Sequence, residues 1–99
     1  MFYVLMGEDA PGSLETRLAV RPAHLARLQS LKEEGRLLLA GPMPAIDALE
    51  PGPAGFAGSL VVAEFASLKE AEEWLAKDPY TLRGVFARTT VRPFRKVLP

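Results

Sequence analysis

The sequence predicts an α+β fold of the ferredoxin-like type, with elements in the order β-α-β-β-α-β, four antiparallel strands in one sheet and two helices on one of its faces. Three observations lead there. Short runs rich in branched and aromatic side chains alternate with two longer stretches of helical spacing. Clusters of Gly, Pro and Asp mark the boundaries between them. At 99 residues with 48% hydrophobic content, the chain holds enough apolar material for one core, so residues 1–99 read as a single domain.

The elements follow in order. "FYVLM" (2–6) is a strand closed by the turn-forming "GEDAPG". Leu14 to Ala19 gives one or two helical turns. Pro22 lacks an N–H and biases Arg21 away from helical geometry, so the main helix is expected to begin at Pro22 and to end near Gly35. Leu37 to Ala40 forms the second strand. "GPMPAIDALEPGPAGFAG" follows, whose four prolines and four glycines predict a long irregular loop, a kind that often carries function. "SLVVAEFA" (59–66) is the third strand, and "SLKE" (67–70) opens the second helix as a capping box. Leu68, Ala71, Trp74 and Leu75 supply its apolar stripe. The helix is expected to stop at Asp78, before Pro79, with Tyr80 to Gly84 turning into a last strand from Val85 to about Phe94.

That order is the split βαβ arrangement, and its right-handed crossovers fix which segments share an end. The end of the first strand (Gly7 to Asp9), the start of the main helix (Arg21 to His24), "AGPMP", the "GS" before the third strand and Asp78 all converge. The opposite end carries only ordinary turns such as "EEGR".

Composition narrows the chemistry. Twelve basic residues balance twelve acidic ones, so no long-range field draws in nucleic acid or an anionic membrane surface. With no cysteine and one histidine, disulfides, thiolate nucleophiles and Cys- or His-rich metal sites are excluded within one protomer, and no cofactor motif is present. No apolar run has the length of a membrane span and the amino terminus has no basic leader, so a cytoplasmic location is expected.

The single histidine lies in "RPAHLARL" (21–28). At about 100° per residue with Leu28 as centre, His24 falls about 40° to one side, between Leu25 and Leu31 at about 60° either way, and so faces inward. Asp78 lies within about 20° of Ala71, also inward, if the second helix reaches that far. An imidazole and a carboxylate at one end of two neighbouring helices form a hydrogen-bonded pair that fixes the tautomer and leaves the other ring nitrogen free for proton transfer. Other roles compete. A lone histidine near a helix start is commonly a core residue bonded to a backbone carbonyl, and an aspartate before proline commonly bonds nearby backbone. Asp9 is a rival partner for His24, although "GEDAPG" also suits it to a plain turn. Arg17 and Arg21 can hold an anionic substrate or simply be surface charges. Gly41 and Pro42 can shape a pocket floor or merely end a strand. Ser59 lies at the same end but has no neighbouring base to make it a nucleophile. Together with Tyr80, which adjoins Asp78 in "DPY", Arg21, Gly41, Pro42 and Ser59 are the substrate-binding candidates, with His24 and Asp78 the catalytic ones.

Nearly the whole chain resembles the YciI-like (YCII-related) family, through "SLETRLAVRPAHLARLQSLKEEGRLLLAGPMPAID", "GFAGSLVVAEFASLKEAEEWLAKDPY" and "VRPFRKVL". The resemblance implies a ferredoxin-like fold, a homodimer related to dimeric α+β barrels, and a pocket centred on a histidine and an aspartate, by position His24 and Asp78. Some relatives resemble enzymes that act on muconolactone-type ring compounds. The expected function is therefore acid/base chemistry on a lactone or carbonyl compound (a lyase, isomerase or dehalogenase-like reaction); the alternative is a non-catalytic ligand-binding or dimerisation module using the same pocket.

Dimerisation has a separate argument. Phe2, Val4 and Met6 alternate with Tyr3 and Leu5, and Leu60 and Val62 alternate with Val61 and Ala63, so both faces of the central strands are apolar. Two helices cover one face, and the other calls for a two-fold partner.

Overall fold

The computed structural model describes residues 1–99. Four strands, β1 (Phe2–Asp9), β2 (Leu37–Pro44), β3 (Phe56–Glu64) and β4 (Phe86–Phe94), form one sheet in the order β2-β3-β1-β4. All neighbouring pairs are antiparallel. Helices α1 (Leu14–Glu33), α2 (Leu68–Ala76) and α3 (Pro79–Leu82) complete the chain, and a short 3-10 turn spans Gly52–Ala54. This is the ferredoxin-like α+β architecture expected from the sequence.

The core lies between the helices and one sheet face. Tyr3 and Leu5 of β1, Val61 and Ala63 of β3, Leu28 and Leu31 of α1, and Ala71 and Leu75 of α2 pack together with Phe65. Period-two alternation selects the strand residues: Tyr3 lies opposite Ala63 and Leu5 opposite Val61. The second helix starts as its sequence implies, with the Ser67 hydroxyl accepting the Glu70 N–H at 3.1 Å.

Several boundaries differ from the sequence reading, each for a physical reason. The first helix does not wait for Pro22 but runs unbroken from Leu14 through it. Proline withholds only the N–H that would bond the Leu18 carbonyl, and the helix is held on both sides of that point by buried Arg17 and His24. The buried stripe is Arg17, His24, Leu28 and Leu31, while Leu25 is turned out and 40% exposed. Strand β2 extends past Ala40 through both prolines to Pro44, which an edge strand permits because its outer N–H positions have no ladder partner to lose. The irregular loop is correspondingly shorter. Strand β1 runs on through Asp9, which is therefore no turn residue.

The register shifts between Glu8 and Asp9, a bulge that brings Phe86 of β4 opposite Asp9. The Phe86 ring then lies where a Gly7 side chain would be, so only glycine fits at position 7. Finally, Asp78 is not the last residue of α2. Lys77 ends that helix and Asp78 caps the next, its carboxylate accepting the Tyr80 N–H at 3.0 Å with Pro79 in the first helical position.

Candidate active site

The start of α3 meets the middle of α1, where His24 lies. His24 Nδ1 is 2.8 Å from Asp78 Oδ2. A carboxylate only accepts, so the neutral imidazole carries its proton on Nδ1 and leaves a lone pair on Nε2. Asp78 is completely buried. Its two oxygens also take the Tyr80 N–H and, at 3.0 Å, Arg27 Nη1, so the charge is compensated by a cation and by the cap of α3. Arg27 is itself fixed, stacked 4.1 Å over Trp74 and donating to the Trp74 carbonyl at 2.9 Å. Nε2 makes no bond within the protein, yet every fully buried side-chain nitrogen and oxygen has a partner. The free nitrogen is therefore open to solvent or ligand.

Tyr80 connects this pair to a second polar group. Its ring stacks on His24 with centroids 4.1 Å apart and planes 20° from parallel, while the Arg17 guanidinium lies 4.5 Å from the same ring. Arg17 and His24 are seven residues apart, about 10 Å along the helix, which leaves room for the phenol ring between them. Phe86 supports Tyr80 edge-on at 5.5 Å, through the space that Gly7 leaves. Burial pushes the Tyr80 phenol above its ordinary pKa, and the Arg17 and Arg21 cations oppose the shift without cancelling it.

Arg17 is only 3% exposed. Its Nε and Nη2 donate to the two oxygens of Asp9, both at 2.7 Å, and Nη2 also donates to Ser59 Oγ at 2.9 Å. Asp9 thus pairs with Arg17 and makes no bond to His24. A cavity of about 370 Å³ adjoins Arg17, with Arg21 and Glu50 as its other polar lining and Leu18, Pro42, Leu49 and Phe56 as apolar walls. His24 stands one helical turn beyond Arg21 and does not itself line this cavity. No group of three His, Asp or Glu side chains is placed to hold a metal.

Of the substrate-binding candidates, Arg21 and Pro42 border the cavity. Ser59 is buried and committed to Arg17. Gly41 pairs with Leu60, where an added side chain would touch nothing, and it does not line this cavity. Sequence reasoning named Arg17, with Arg21, as an anion-holding candidate but not as the partner of Asp9 and Ser59, and it gave Arg27 and Phe86 no place in this site. A signal for Arg17 existed: seven residues before His24, it lies about 20° from it around a continuous helix. Starting the main helix at Pro22 hid that relation.

A family profile described as the YCII-related domain matches residues 1–95. The chain belongs to the YCII-related family. Among its relatives are protein YciI of Escherichia coli O6:H1, 59% identical over 97 residues covering 98% of this chain and 99% of that one. A Haemophilus influenzae protein is 55% identical over 97 residues with the same coverage, 98% and 99%. Among solved structures, this YCII-related chain is similar to the 5-chloro-2-hydroxyhydroquinone dehydrochlorinase TftG of Burkholderia phenoliruptrix AC1100, in complex with 2,5-dihydroxybenzoquinone. The TM-score is 0.83 and the identity 30%, over 96% of this chain and 94% of that one.

Proposed function

We propose that this YCII-related protein is a small-molecule enzyme in which His24 is the general acid/base and Asp78 orients it. The class of reaction is lyase, isomerase or dehalogenase-like chemistry on a lactone or carbonyl compound. The observation that carries the proposal is the 2.8 Å contact between a buried carboxylate and an imidazole whose far nitrogen stays free. In the reaction, Nε2 takes a proton from an acidic O–H or C–H of the substrate, and the bonding electrons move into the adjacent carbonyl or double bond. Either a leaving group then departs as an anion, or the proton returns at another carbon. Asp78 stabilises the imidazolium formed between these steps. The likeness to a dehydrochlorinase supports such a proton-coupled elimination. Arg21 and Pro42 would contact the substrate through the cavity.

One observation favours the alternative, a non-catalytic binding module: Asp78 has a complete structural role as the cap of α3 and the partner of Arg27. The test is a turnover screen of chlorinated hydroquinones, lactones and carbonyl compounds with wild type and His24→Gln. A loss of about 10²- to 10⁴-fold in the variant, with cooperative folding kept, is the expected result. Turnover unchanged in the variant would overturn the proton-transfer role.

The same proposal takes the protein as a homodimer through the open sheet face. Phe2, Val4, Met6 and Leu60 are only half-buried there, and Leu39 is 49% exposed. No helix of the chain is long and apolar enough to cross a membrane.

A further inference from the structure

The cavity beside Arg17 has a polarity that goes beyond a generic substrate pocket. Arg17 is held at two of its three nitrogens: Nε and Nη2 are taken by Asp9 and Ser59. Nη1 makes no hydrogen bond within the protein, although the residue is 97% buried by its 3% exposure, and the side chain borders the cavity. A guanidinium so fixed presents one unused pair of N–H groups in a set direction. Arg21 lines the same space and has no carboxylate partner within the protein. The Tyr80 ring packs 4.5 Å from the Arg17 guanidinium and helps to fix it. Phe56 packs against the Arg17 guanidinium at 5.3 Å and joins Leu49 among the apolar lining of the cavity.

We infer that this cavity is an oxyanion-recognition site for a small planar organic anion, an aromatic carboxylate or a ring enolate. Its charged oxygens meet Arg17 Nη1 and Arg21, and its ring rests against Phe56 and Leu49. A volume of about 370 Å³ suits a single ring. Glu50 also lines the cavity and repels a second negative charge, so the site selects monoanions, with a ring hydroxyl as the group Glu50 accepts. The inference rests on the reading that this end of the molecule receives a substrate, and it names the substrate's charge and shape. It also assigns Arg17 to ligand contact.

The test compares benzoate with its neutral isostere benzamide by calorimetry and by chemical-shift mapping, using wild type, Arg21→Gln and His24→Gln. Benzoate should bind at least about tenfold more tightly than benzamide, and Arg21→Gln should remove about tenfold from benzoate alone. His24→Gln should bind benzoate as wild type does. Shifts should centre on the Arg17 side chain and Phe56. Arg17→Met removes a buried partner of Asp9 and is at risk of misfolding, so the exposed Arg21 carries the test. Equal binding of the two probes, no binding of either, or an unaffected Arg21→Gln would overturn the site. If benzoate fails to bind while His24→Gln still abolishes turnover, the anion site is wrong and the proton transfer stands; benzoate binding without turnover gives the reverse.

Discussion

Replacing Asp78 by alanine should destabilise the protein far more than replacing it by asparagine, because the carboxylate holds three donors at once. Alanine removes the cap of α3, which costs about 1 kcal/mol. It also strands the His24 Nδ1–H and the Arg27 guanidinium, each formerly bonded at 2.8 and 3.0 Å. At about 1 kcal/mol or more for each lost bond the total is about 3 kcal/mol, the scale found when one partner of a buried ion pair is deleted. Asparagine has the same shape. Its oxygen can stay with Tyr80 N–H and His24 Nδ1–H while its NH₂ group faces Arg27, which is 25% exposed at its side chain and can turn toward water. That variant should lose only about 1–2 kcal/mol. Urea denaturation followed by far-UV circular dichroism, at one protein concentration, gives both values. For a chain of this size the alanine variant should melt roughly 12–24 °C lower. Less than about 1 kcal/mol for alanine, or equal losses for the two variants, would refute the three-donor account.

Nitrogen chemical shifts of the imidazole should show the neutral ring protonated at Nδ1, and Asp78→Ala should mix the two tautomers. Gly7→Ala should cost about 1–3 kcal/mol because the new methyl group meets the Phe86 ring and, through it, Tyr80; thermal melting reads this directly. In an alkaline titration followed at 295 nm, Tyr80 should ionise above the ordinary tyrosine value of 10.0, and the Tyr80→Phe spectrum should lack that step. With the folded pKa raised, the stability this neutral phenol contributes is complete below pH 10 and is lost as pH climbs through the folded value. On the open sheet face, Val4→Glu should convert the proposed dimer into a monomer in sedimentation velocity, with the helix-side core untouched.

The amino-acid sequence alone determined the order of elements, because alternation, helical spacing and the Gly and Pro boundaries are local signals that need no partner. It also placed His24 and Asp78 at one end, since chain direction in a split βαβ arrangement follows from topology. What it could not decide was which neighbours would overrule a local preference. Pro22 discourages a helix by itself, but ion pairing of Arg17 on one side and burial of His24 on the other carry α1 straight through it. Pro42 and Pro44 discourage a strand, but they lie at a sheet edge where no ladder bond is lost. Asp78 could be read as a cap or as a partner of His24, and only the packed structure shows that one carboxylate does both, because α3 begins where α1 passes. Arg17, Arg27 and Phe86 joined the site for the same reason: each is placed by contacts made across the fold, and such contacts exist only once the core has closed.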